Sequence, residues 1–82
     1  PKGVISVDQG AKNALVNKKS LLAVGVISCS GNFSSGDIVC ICDDKNVEFA
    51  RGKTALSAKE LDKAKGSRFP KEIVHRDNIA IL

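Results

Sequence analysis

His75, Arg76 and Asp77 stand consecutively, and His75 is the only histidine in the chain. In protein kinases an H-R-D loop uses its Asp to orient a hydroxyl nucleophile, and an Asn five positions later holds magnesium. Here the corresponding position is Leu82, which has no ligand atom, and no Gly-rich loop with a following strand Lys precedes the triplet. A chain of 82 residues also cannot enclose a nucleotide cleft of that kind. The triplet is therefore read as a local turn. Asp77 and Asn78 are expected to satisfy neighbouring amides, Arg76 to pair with a carboxylate such as Glu48 or Asp77, and His75 to be a hydrogen-bonded packing residue.

Other catalytic constellations are missing as well. No G-x-S-x-G elbow accompanies any Ser, and neither G-x-x-x-x-G-K-[ST] nor G-x-G-x-x-G occurs to cradle phosphate. The cysteines, Cys29, Cys40 and Cys42, are odd in number and lack C-x-x-C spacing, which argues against a closed disulfide framework and a zinc site. Reduced thiols in a cytoplasmic chain fit best. Cys40 and Cys42 alternate with Val39 and Ile41, so they read as small apolar side chains on one strand face.

The cationic residues are the remaining candidates. The net charge is +4, from 13 Lys and Arg against 9 Asp and Glu, which permits a polyanionic partner without requiring one. One candidate segment runs from Lys18-Lys19-Ser20 to Gly25, where two cations and a glycine bend could position a phosphate. The other comprises Lys63, Lys65, Arg68 and Lys71, with Phe69 among them and no acid in between. Three Phe, no Trp and no Tyr leave little for base stacking. Solvated faces and helix-dipole complements explain the same lysines.

Positioning these residues requires a particular order of elements. Val4–Val7 is a β-branched run, and Asp8 follows as the N-cap of a helix whose apolar stripe is Ala11, Ala14 and Leu15. Lys18 and Lys19 are expected at its C-terminal dipole. Ser20–Cys29 leads into a largely buried strand. Gly31–Asp37 clusters turn formers around Phe33. Ile38–Cys42 is apolar throughout, as for a strand covered on both faces. Asp43–Asn46 closes a hairpin onto Val47–Arg51, in which Val47, Phe49 and Arg51 share one face and Glu48 and Ala50 the other. Ser57 and Glu60 form a capping box, Gly66 ends that helix, and 73–74 and 79–82 are the last extended pieces. This predicts a single domain over 1–82, mainly β with two short helices, closed as a small mixed barrel. No apolar stretch approaches membrane-spanning length.

Val7-Asp8-Gln9-Gly10-Ala11, Ala14-Leu15, Lys19-Ser20-Leu21-Leu22, Gly25-Val26, Gly31-Asn32-Phe33, Gly36-Asp37, Ala50-Arg51-Gly52 and the close Glu72–Asn78 occur in one order. Together they resemble the PUA domain of glutamate 5-kinases. One departure is Ala23-Val24, where that family usually carries Pro. The resemblance implies a PUA-like mixed β pseudo-barrel. It also implies an accessory or regulatory role beside an amino-acid kinase domain that phosphorylates glutamate with ATP and Mg in proline biosynthesis. Catalysis and cofactors are then expected in that other domain, with none in this fragment, and oligomerisation belongs to the parent while the isolated domain is a monomer. The start at Pro1 points to an excised or processed chain. PUA domains of RNA-modifying enzymes contact RNA through the segment joining the first helix to the next strand, here Lys18–Gly25, which makes RNA the alternative partner.

Overall fold

Alternation of apolar and small polar residues sets the strand faces, and a computed structural model describing residues 1–82 arranges them as follows. The order is β1 (Gly3–Val7), α1 (Gln9–Val16), β2 (Leu21–Leu22), a 3-10 turn (Ala23–Gly25), β3 (Val26–Gly31), β4 (Ile38–Cys42) and β5 (Glu48–Lys53). Then come α2 (Ala58–Ala64), β6 (Glu72–Val74), a second 3-10 turn (Arg76–Asn78) and β7 (Ile79–Ile81). Five strands form one sheet in the order β3-β1-β4-β5-β7, and β2 pairs with β6 in a second. β1 and β4 are parallel, and every other pair is antiparallel. This is the mainly β architecture with two short helices that the sequence predicts.

Both helix starts follow from their caps. The Asp8 carboxylate accepts from the Ala11 amide at 2.7 Å, and Ser57 and Glu60 exchange hydrogen bonds between side chain and backbone in both directions. Ile5 and Val7, Val39 and Ile41, Leu15, Leu61, Ile73 and Val74 fill the barrel and are buried. Phe33 anchors its polar loop on the same core.

Three strand expectations are corrected. β4 is not covered on both faces: Val39 and Ile41 point inward, whereas Ile38 is 48% exposed and Cys40 half-buried. β3 is an edge strand with only Val26 buried: Ser30 and Ser28 share the uncovered outer face with their partners Val4 and Ser6, and Ile27, left unpaired where the register slips between Ser6 and Val7, is exposed. In β5 the register slips between Ile41 and Cys42, so that Ile41 faces Ala50 while Cys42 faces Glu48. Phe49 is then the extra residue of a β-bulge, and Glu48 and Arg51 come to the same face. Their side chains pair at 2.8 Å. Arg76 therefore does not take Glu48 as its partner.

Candidate functional site

The turn after α1 carries two of the candidate cations, and its backbone is unusual. The Lys18 amide bonds to the Leu15 carbonyl and the Lys19 amide to the Ala14 carbonyl, the paired pattern of a Schellman motif. This motif needs a left-handed residue, ordinarily Gly, and Lys18 occupies it at φ 64°. Lys18 and Lys19 thus lie beyond the helix and do not cap its last turn, which holds no basic residue. A side chain held in that conformation costs about 1 kcal/mol or more. Lys18→Gly is expected to stabilise the fold by about 0.5–1 kcal/mol, read as a higher urea midpoint at unchanged m.

Pairing of Leu21 with Val74 brings this turn beside the His75–Asn78 segment. The Arg76 amide donates to Ser20 Oγ at 2.8 Å across 56 positions of sequence. Lys18, Lys19 and Arg76 consequently line one cleft, floored by Leu15, Ile79 and Ile81 and bordered by Asp77. Arg76 was not among the basic candidates read from the sequence, because only the β2–β6 pairing places it there. Gly25 borders a different groove, lined by Asp8, Ala11, Ala14, Leu22 and Val24. The segment Lys18–Gly25 therefore presents a cationic side and a largely apolar one.

The second basic run does not form one surface. Lys65 pairs with Asp62, one residue ahead of the run, and this raises the lysine pKa. Phe69 packs against the core, so it offers no free stacking platform. Lys63 and Arg68 are exposed. Lys71 turns into a third cleft with Lys53, Glu72, His75 and Asn78.

His75 is exposed rather than packed. Its Nδ1 accepts the Asp77 amide at 3.1 Å, and its carbonyl accepts the Asn78 amide at 2.8 Å. The imidazole caps the 3-10 turn, so the expected donor and acceptor roles are reversed: His75 satisfies the amides of Asp77 and Asn78. No nucleophile lies in this arrangement. All three cysteines are free thiols. Burial raises the pKa of Cys29 and Cys42, and the Glu48 carboxylate raises that of Cys40, which disfavours reactive thiolates. No three His, Cys, Asp or Glu side chains converge as a metal-ligand set.

Asp43 is the principal electrostatic anchor. It accepts from the Val47 and Lys45 amides at 3.0 and 2.9 Å and from Lys12 Nζ at 3.0 Å, closing the β4–β5 hairpin and tying it to α1. The Val47 amide, then Lys12, hold its carboxyl below the usual carboxylate range. With the folded-state pKa below the unfolded one, this contribution is complete above the unfolded value near 4 and is lost as pH falls through the folded value. The melting temperature is expected to fall on acidification below about pH 4, and Asp43→Asn to lower it at pH 7 and reduce that acid dependence.

α1 packs beside β2 and β7 of a small β pseudo-barrel. Residues 3–75 match the PUA domain family, and the chain belongs to that family. It is 41% identical to glutamate 5-kinase of Aquifex aeolicus (strain VF5), over all of this chain and 26% of that protein. It is 40% identical to glutamate 5-kinase of Pelagibacter ubique (strain HTCC1062), over 96% of this chain and 24% of that protein. The chain thus spans about a quarter of the length of these relatives. Among solved structures, a PUA domain from Aeropyrum pernix K1 in complex with tartrate superimposes with TM-score 0.81 at 29% identity, over 92% of this chain and 41% of that one. A chain of the archaeal box H/ACA sRNP Nop10-Cbf5 complex gives TM-score 0.69 at 25% identity, over 89% of this chain and 24% of that one. No helix is long and apolar enough to cross a membrane.

Proposed function

We propose that this chain is the accessory domain of a cytoplasmic glutamate 5-kinase whose ATP- and magnesium-dependent chemistry lies in an amino-acid kinase domain of the same polypeptide. The supporting observation is identity near 40% to glutamate 5-kinases over nearly the whole chain. Oligomerisation belongs to the parent enzyme on this reading, and the domain biases its assembly or its regulation. Deleting residues 1–82 from the full-length enzyme and measuring feedback inhibition by proline and oligomer size tests the accessory role. Unchanged values in both would reject it.

A second reading is RNA contact through the cleft of Lys18, Lys19 and Arg76. The convergence of three cations from two distant segments supports it, as does the likeness to a chain of a ribonucleoprotein complex. Titration with a labelled structured RNA at several salt concentrations tests it. Phosphate-driven binding weakens steeply with salt, and removal of one contacting cation lowers the logarithmic salt slope by about 1. Binding without a salt slope, or none at low salt, rejects RNA.

A further inference from the structure

The outer face of the five-stranded sheet is uncharged over most of its width, in a chain with net charge +4. Register places Val4 and Ser6 of β1, Ile38 and Cys40 of β4 and Ala80 of β7 on this face, with neither helix over it. Ile38 stands half exposed at the start of the middle strand β4, opposite Lys53. The charged groups beside it, Glu48 and Arg51, neutralise one another at 2.8 Å, and Lys2 and Lys53 flank Ile38 at the strand ends. Depletion of charge around apolar side chains marks the centre of protein interfaces rather than ordinary solvated surface.

The path of the chain says what can cover the face. The Lys2 amide donates to the Ile38 carbonyl at 2.8 Å, so polypeptide preceding β1 arrives at the edge of this same surface. The relatives are about four times as long as this chain. Resting on the reading of this chain as an accessory domain that follows its kinase domain, we propose that this sheet face, with Ile38 and Cys40 on it, docks the kinase domain of its own polypeptide.

Cys40 supplies a native reporter, and buried Cys42 two residues on supplies an internal control for folding. The experiment is site-resolved alkylation of the full-length enzyme by iodoacetamide, with peptide mass spectrometry, alongside its glutamate kinase activity. In the wild type Cys40 is expected to react roughly tenfold or more slowly than in Ile38→Arg, with Cys42 unreactive in both. Should Cys42 react in Ile38→Arg, Ala80→Arg replaces it as the disrupting variant under the same criterion. Equal Cys40 rates in wild type and a folded variant would overturn the proposal. Protection lost on dilution would also overturn it, by assigning the face to a second copy. An active kinase with equal rates removes the docking face alone, whereas a full-length protein without kinase activity removes the functional reading beneath it.

Discussion

Ile41→Ala is expected to lower the unfolding free energy by about 3–4 kcal/mol, the cost of emptying a fully buried aliphatic site that neighbours cannot refill. Ile41 is 0% exposed on the inner face of β4, the middle strand of the five-stranded sheet. A domain of 82 residues has about 4–12 kcal/mol in all, so the variant stands near the edge of unfolding. Its melting temperature should fall by about 12–30 °C. Cys40→Ser on the opposite face of the same strand is expected to change stability by about 0.5 kcal/mol or less. Thermal and urea melts of the two variants check the strand's sidedness. Comparable losses from both would mean that β4 is covered on two faces after all.

Gly25→Ala carries the second large effect, about 1–3 kcal/mol of destabilisation. A Cβ at this position would stand 2.5 Å from Ala11 Cβ, and that atom is fixed to the α1 backbone. The helix cannot yield easily, since its capping residue is tied to the same place: the Asp8 amide donates to the Gly25 carbonyl at 3.0 Å. The φ of Gly25 is not in the left-handed region, so the requirement is space rather than backbone freedom. The same melts measure it. If Gly25→Ala left stability unchanged, its place in the apolar groove would have to reflect ligand access instead of helix packing.

Local chemistry made much of this fold legible. Asp8 and the Ser57/Glu60 box name both helix starts, because a cap is a short-range bargain between a side chain and nearby amides. The β-branched and apolar runs name β1 and β4 for the same reason. What the residues conceal is register. An unbroken run such as Ile38–Cys42 cannot reveal that one face is solvated, and the bulge at Phe49, which reverses the facing of Glu48, depends on β4 opposite. The site was legible to the same extent. Lys18, Lys19 and Ser20 could be singled out from their types, but Arg76 joins them only through pairing of β2 with β6. The Lys63–Lys71 run, contiguous in sequence, is divided by Asp62 pairing with Lys65 and by Phe69 turning inward.

An accessory domain should leave the phosphoryl-transfer step to the remainder of its polypeptide. The most direct measurement is formation of glutamyl phosphate from ATP and glutamate by the full-length protein, trapped as the hydroxamate, in wild type and in His75→Ala. The account predicts ATP-dependent product at the same turnover in both, since His75 only caps a 3-10 turn. Absence of product from the full-length protein, or its loss in a folded His75→Ala variant, would contradict it.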